Sequence, residues 1–489
     1  MTGIKEKASI GFFWSLLDNS LIQIINLVVG VVLARLLSPA EFGIIGMITV
    51  FIAISETIVD SGLSQALIRK KDCRDIDYNT VFIANLLMGV ALYAILFVSA
   101  NAISVFYKRA ELSLLTRVMA FNLIINSFGI VETAKLTKNI EFKLQTKISI
   151  VSEVSSGILS VLLAALGFSY WSLAIKTLVR NLVRVVQLHY YSGWRPKLQF
   201  SFGTLKWSFN FGSKLLLSEL INTGFRNLYY LVIGKFFSAQ ELGLYTKANR
   251  FSNLASANFE RVVQRVSYPV LVKVSSDVKV LKEGYKRLMS LSFFVSILFT
   301  AILMVNSKEI ILLTIGEKWS EAIPFMQMLC LANMPYIVQA LNGNIFKTRD
   351  RTDLMLKSQI YLRILMIPVV VIGVLYGIKT LLIGLTIHSL ASYLVVANMS
   401  GKLIEYSIKE QLKDLLPIAL YIGVAVSISV LLTGIMGGGN LVVTLLFKTI
   451  MIICFTVFIG EILSRPEYRY SKDLVVSLLI KAFGRSKQG

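Results

Sequence analysis

The sequence predicts an all-α integral membrane protein of about 14 transmembrane helices, built as two parallel-repeat six-helix lobes with two further C-terminal helices. Three observations predict it. Apolar stretches of membrane-spanning length recur along the whole chain, lysine and arginine concentrate on alternate connections, and a motif between the first two spans returns 200 residues later.

The chain has 489 residues, 55% hydrophobic and 16% charged, with a mean hydropathy of +0.70. A soluble domain is ordinarily about 25% charged. Stretches of about 20 apolar residues, long enough to cross ~30 Å of hydrocarbon, leave no room for a soluble domain. Polar breaks separate fourteen spans, which begin near Ile10, Phe42, Val81, Leu112, Ile148, Tyr170, Phe209, Leu242, Leu288, Ala322, Leu356, Leu381, Pro417 and Leu441. Lys5 and Lys7 precede the first apolar run as they would in a signal peptide, but the run continues to Ala34 without a small-residue cleavage site, so it is expected to stay as a helix. Cys73, Cys330 and Cys454 are too scattered to imply a disulfide or a metal site. The net charge of +22 has no soluble fold to display it to nucleic acid, so it is read as topology.

With the N-terminus inside, 31 Lys and Arg fall on inner segments and 7 on outer ones. That bias places both termini in the cytoplasm. The eighth span, from Leu242 to Ser267, carries Lys247, Arg250, Glu260, Arg261 and Arg265, each costing about 2.5–3.5 kcal/mol at the bilayer centre. It must nevertheless cross, because omitting it would invert every later segment and move their cations outside.

The repeat supports that crossing. VLARLLSPAEFGII at 32–45 matches VIGKFFSAQELGLY at 232–245, with Ser38/Ser238, Glu41/Glu241 and Gly43/Gly243 aligned. Each copy contains a capping box that starts a helix, in which the serine side chain accepts from the third helical N–H and the glutamate reaches back. Pro39 suits the first helical position. An even number of spans separates the copies, so both insert in the same orientation. The expected division is therefore an N-lobe at 1–200, a C-lobe at 201–405, and two extra helices with a cytoplasmic tail at 406–489.

Ser15, Asp18, Asn19, Gln23, Asn26 and Gly30 share about 140° of the first span, and Thr49, Ala53, Glu56, Asp60 and Ser64 share about 80° of the second. These polar faces could hold helices together. Alternatively Asp18, Glu56 and Asp60 couple transport to Na+ or H+, with Asp18 approaching the other two if the first two spans pack antiparallel, or these acids simply neutralise Lys176 or Arg180 in the same lobe. In the second copy the sign changes. Lys247, Arg250, Asn258, Arg261 and Arg265 share roughly 80° of span eight, beside a stripe of Asn253, Glu260 and Gln264. Lys214, Asn222 and Arg226 lie close together on span seven, with Glu219 available to neutralise one cation. Such cations suit a phosphate ligand, although those near span ends can also snorkel to headgroups. Lys176 and Arg180 on span six extend the cationic surface, whereas Arg184 is expected to snorkel.

His388 in mid-span is expected to be a packed, hydrogen-bonded residue before a proton relay. Asp75-x-Asp77 sits on a short loop that offers no folded domain for metal chemistry. Pro335 and Pro368 should kink spans ten and eleven.

The opening string GFFWSLLDNSLIQIINLVVGVVLARLLSPAEFGIIGMITVFIAISETIVDSGLSQALIRKKD, with its LLSPAEFG turn, resembles the polysaccharide transporter branch of the multidrug/oligosaccharidyl-lipid/polysaccharide exporter superfamily. More narrowly, it is similar to bacterial flippases for lipid-linked O-antigen or exopolysaccharide repeat units. The resemblance implies two lobes around a central cavity, alternating access, and an undecaprenyl-pyrophosphate-linked glycan as substrate in the bacterial inner membrane. A polysaccharide polymerase and chain-length machinery are the protein partners it suggests. It supplies no catalytic residue, no cofactor and no fixed set of substrate residues. Two other readings compete: a drug or metabolite exporter of the same superfamily, and a membrane-embedded polymerase or glycosyltransferase. The second would need a substantial extramembrane loop, and the longest outer connection, around Asn306 to Glu321, has about 16 residues.

Overall fold

The computed structural model describes residues 2–60, 62–435 and 439–462, and within these leaves aside the side chains of 2–13, 15–17, 19, 255–262, 265 and 266. Among the described residues every regular element is helical. In order they are α1 (Thr2–Leu36), α2 (Pro39–Asp60), α3 (Leu63–Arg69), α4 (Asp75–Tyr107), α5 (Glu111–Lys138), α6 (Phe142–Ala165), α7 (Trp171–Ser192), α8 (Phe202–Phe236) and α9 (Ala239–Lys273). They continue as α10 (Val278–Val305), α11 (Ser307–Thr314), α12 (Ala322–Asn333), α13 (Tyr336–Thr348), α14 (Thr352–Tyr376), α15 (Ile378–Gly401), α16 (Ile408–Ile435) and α17 (Leu441–Ile462).

Among the described residues nine helical stretches are long and apolar enough to cross a membrane: Pro39–Arg69, α4, α5, α6, α10, α14, α15, α16 and α17. The chain is a multi-pass membrane protein. The other sequence-derived spans coincide with α1, α7, α8, α9 and the α12–α13 pair, which carry charges or a break. The eighth of them is continuous: α9 has 35 residues, longer than the ~20 that a crossing needs.

The break in the tenth span has a local cause. Pro335 has no N–H for the helical ladder, and its ring crowds the carbonyl four residues back. The span divides there into α12 and α13. Freed backbone groups find other partners: Met334 N donates to Leu331 O at 3.3 Å, and Ser389 Oγ donates to Ala332 O at 2.6 Å. Pro368, by contrast, lies inside an uninterrupted α14.

Two compact units cover the chain, Met1–Thr246 and Lys247–Gly489, with the boundary inside α9. In the first, α4 packs on α5, α6 on α7 and α1, α5 on α7, and α2 on α8. In the second, α14 and α15 pair, α12 and α13 lie against α15, and α16 packs on α10 with α17 beside it. Tyr285, Met289, Leu341, Ile345, Ala397 and Ile418 form the core of this unit. α17 is tied down by an ion pair, Lys448 Nζ to buried Glu309 Oε1 on α11 at 2.7 Å, and by Asn306 donating to Thr449 Oγ1 at 3.3 Å.

Both repeat motifs start helices as expected. Ser38 N and Oγ donate to Glu41 Oε2 at 2.6 and 2.8 Å. Ser238 N and Oγ donate to Glu241 Oε2 at 2.9 Å each, and Glu241 N donates back to Ser238 Oγ at 3.0 Å. The serine hydroxyls thus donate to the glutamates as well, a contact the capping-box pattern does not include. Within the first unit the two motifs also meet. A Cβ on Gly43 would stand 1.7 Å from Ala239 O, and one on Gly243 would stand 1.8 Å from Pro39 O. Each copy's glycine therefore admits the first turn of the other copy's helix, the close approach that small residues permit.

Asp77 is structural. Fully buried at the start of α4, it accepts from Lys70 Nζ at 2.7 Å, Arg74 N at 2.9 Å and Thr204 Oγ1 at 2.8 Å, joining α3, α4 and α8.

Candidate functional site: a charged cavity in the first unit

α2, α3, α5 and α7 enclose a cavity of about 440 Å³. Its charged lining is Glu56 and Asp60 from α2 with Arg180 and Arg184 from α7, and Asn126, Thr133, Thr137 and Asn181 supply neutral polar groups. The spacing explains the convergence. Glu56 and Asp60 lie four residues apart, as do Arg180 and Arg184, and residues at i and i+4 share a helix face.

Each charge has an identifiable partner. Asn126 Nδ2 donates to Glu56 Oε1 at 2.9 Å, and Ser64 Oγ donates to Asp60 Oδ1 at 2.6 Å. Arg184 donates to Thr133 Oγ1 at 3.3 Å. Arg180 donates to Glu153 Oε1 on α6 at 3.4 Å, and Lys176 Nζ stands 4.0 Å from Glu153 Oε2 and donates to Asn26 on α1 at 3.1 Å. Buried Asn181 donates to buried Asn122 at 3.0 Å, fixing α7 against α5. Below them His189 Nε2 lies 3.2 Å from Glu132 Oε1.

Several of these residues differ from their sequence-derived roles. Arg184, a snorkelling residue by its place near the span end, is exposed and also lines the cavity, because α7 packs along α5. Lys176 and Arg180 draw their carboxylate from Glu153, a residue that facial analysis of spans one and two did not reach. A single acid within the apolar stretch ISIVSEVSSGILSVLL was the available signal. Asp18 is not among the residues lining the cavity with Glu56 and Asp60, since α1 runs along α6.

On α8, Lys214, Asn222 and Arg226 are exposed while Thr223 is buried. Arg226 donates to Glu219 Oε1 at 3.1 Å, the neutralising contact that the spacing suggested, and to Thr223 Oγ1 at 3.2 Å. Thr57 Oγ1 on α2 donates to that same Thr223 hydroxyl at 3.2 Å.

In the second unit the cationic row on α9 divides. Arg250 is exposed, whereas Lys247 is only 4% exposed, with its ammonium 5.8 Å from the ring centroid of Trp319. Asn258, Arg261 and Arg265 lie outside the described side chains. His388 Nε2 sits 2.9 Å from Leu362 O, the contact of a packed, hydrogen-bonded histidine.

Known proteins share both sequence and fold with this chain. Lipopolysaccharide biosynthesis protein WzxC of Escherichia coli (strain K12) is 26% identical over 376 residues, 76% of each chain. Teichuronic acid biosynthesis protein TuaB of Bacillus subtilis (strain 168) is 26% identical over 72% of this chain and 74% of its own. Succinoglycan biosynthesis transport protein ExoT of Rhizobium meliloti (strain 1021) is 27% identical over 65% of each. Among solved structures, the lipid II flippase MurJ in an inward closed conformation matches with a TM-score of 0.69 at 15% identity, covering 93% of this chain and 100% of that one. An inward-facing multidrug resistance MATE family transporter matches at 0.63 and 16% identity, covering 78% and 94%. These likenesses give the fold. Residues 32–324, more than half of the sequence, match the polysaccharide biosynthesis protein family, and the chain belongs to that family.

Proposed function

We propose that the chain is a flippase that moves an undecaprenyl-pyrophosphate-linked oligosaccharide repeat unit across the bacterial inner membrane by alternating access. The observation that carries this reading is the match to the polysaccharide biosynthesis family in a chain folded like the lipid II flippase MurJ. The relatives' names add the class of cargo, since lipopolysaccharide, teichuronic acid and succinoglycan are all polysaccharides or glycoconjugates, and one relative is named a transport protein. This is transport, not catalysis.

Physical chemistry supports the same reading. Guanidinium and ammonium groups on membrane helices are expensive unless water or an anion meets them. Lys214, Arg226 and Arg250 are exposed on such helices, and pyrophosphate offers oxygens for bidentate guanidinium contacts and for a lysine point charge. A cationic drug, as cargo of the multidrug branch, would be repelled by the same residues. The functional lobes are the repeats, 1–200 and 201–405, because their matching motifs stand 200 residues apart. Both termini face the cytoplasm on the cation bias. Glu56 and Asp60 are the groups proposed to bind Na+ or H+ and couple it to the conformational cycle, because an ion must bind one state better than the other to drive it. A polymerase and chain-length machinery would take up the flipped unit.

The test is lipid analysis of a deletion strain. Lipid-linked repeat units should accumulate on the cytoplasmic leaflet and polymer should be lost. Normal polymer with no accumulated intermediate would remove the proposal.

A further inference from the structure

The second unit contains a cavity of about 190 Å³ lined by Gln264 from α9, Tyr336, Gln339 and Lys347 from α13, and Ser358 and Gln359 from α14. Under the internal repeat α9 corresponds to α2 and α13 to α5, the helices that carry Glu56, Asp60 and Asn126 of the charged cavity. The two cavities thus share two corresponding walls but hold different chemistry. Where the first copy has two carboxylates and two guanidiniums, the second has three primary amides, a phenol, a hydroxyl and one ammonium.

That set fits sugar hydroxyls. Each hydroxyl both donates and accepts, and a primary amide supplies one acceptor and two donors. The aromatic ring of Tyr336, 49% exposed on the first turn of α13, offers a flat apolar face for the C–H face of a pyranose. Its position follows from Pro335, whose break in the span begins a new helix at Tyr336. Gln264 is already oriented, with Nε2 donating to Ala340 O at 3.2 Å, which leaves its carbonyl oxygen as acceptor. Gln339 Nε2 is shut off from solvent without a protein partner. A buried donor left unmet costs roughly 1–3 kcal/mol, and rotation of the Gln339 side chain into the cavity it lines brings that donor to a ligand acceptor and recovers that energy. The volume lies below the ~300 Å³ at which drug-sized pockets begin, so it holds one ring and not a whole repeat unit.

We propose that this cavity is a subsite for one uncharged sugar ring of the cargo, a different chemical task from that of the cations proposed for its pyrophosphate. The proposal rests on the lipid-linked glycan reading and assigns part of that substrate to named residues. Neutral amides select by hydroxyl geometry, because a site built to pair with hydroxyls rejects a ring that lacks them. The cationic residues contribute affinity common to every carrier, and the amide cavity contributes the preference for a particular glycan.

The experiment measures binding of two probes to full-length protein in lipid nanodiscs. One probe is bare undecaprenyl pyrophosphate, and the other is the undecaprenyl-pyrophosphate-linked repeat unit extracted from the producing strain. Gln339→Leu and Tyr336→Ala should each weaken binding of the glycosylated probe about tenfold, the effect of ~1.4 kcal/mol, and leave the bare carrier unchanged. Tyr336→Phe should bind both probes as wild type does. Unchanged binding of the bare carrier also shows that a variant is folded. Variants that bind the glycosylated probe like wild type, or that lose both probes equally, overturn the subsite while the flippase reading stands. A wild-type protein that binds neither probe overturns both.

Discussion

A Gly43→Ala substitution is expected to lower stability by about 3 kcal/mol, at the upper end of the overpacking range, or to prevent folding altogether. One added methyl has this effect because its carbon would stand 1.7 Å from the Ala239 carbonyl oxygen, well inside any real contact, and that obstacle is backbone. The helices must therefore separate. Nearby contacts would separate with them: Gly46 lies against Leu242, and Gly234 lies against Met47 and Tyr107. Gly243→Ala should behave alike through Pro39. Because the two glycines share one seam, the double variant should cost less than the sum of the singles, as the first methyl already opens the space the second needs. Gly423→Ala in α16, where a Cβ meets nothing within 4 Å, should be neutral or slightly stabilising through helix propensity. Thermal unfolding of the four variants beside wild type in detergent decides this. A Gly43→Ala protein that melts with wild type would mean that the seam is not packed as described.

The second large effect belongs to Glu153. Its side chain is 8% exposed and it is the shared carboxylate of Lys176 and Arg180. Removing one partner of a buried ion cluster costs about 3–5 kcal/mol, because the remaining charges keep their desolvation penalty. Arg180 is 40% exposed, so part of that penalty is relieved by solvent and roughly 2–4 kcal/mol is expected for Glu153→Gln. Lys176→Met added to Glu153→Gln should recover part of the loss, since it deletes a cation that no longer has its carboxylate. Unfolding midpoints of the single and double variants test this. If the second change deepens the loss, the two residues are not coupled as an ion pair.

Much of the architecture was legible because span length is a local property of the sequence. The Ser38–Glu41 and Ser238–Glu241 caps were legible for the same reason: every atom in a capping box lies within four residues. The reciprocal contact of Gly43 and Gly243 was not, although the aligned glycines were visible, because no local rule brings two helix starts 200 residues apart together. Spacing alone puts Glu56 and Asp60 on one face, and they line one cavity, but spacing does not determine which helix meets them. The polar faces of the first two spans invited an α1–α2 pairing, yet α1 lies along α6. Neighbour choice likewise set Arg184 beside Thr133 and put Lys247 near the ring of Trp319. Glu153 was overlooked because it is the single carboxylate of α6, on a face shared with the small hydroxyl residues Thr146, Ser149, Ser156 and Ser160 that ordinarily serve helix packing. The amide cavity could not have been read in advance, since Gln264, Gln339 and Gln359 come from three helices and share no pattern.

The central claim is that this chain moves a lipid-linked glycan between leaflets, and the direct measurement is flipping by purified protein. Proteoliposomes would carry the undecaprenyl-pyrophosphate-linked repeat unit, its sugars labelled, and an impermeant glycosidase would report the fraction exposed outside. With protein present, and with a sodium or proton gradient imposed, the initially protected half of the label should become accessible. Glu56→Gln and Asp60→Asn should reduce the response to the gradient. If the protected half stays protected with wild-type protein, as in protein-free liposomes, under both gradients and with none, the account is contradicted.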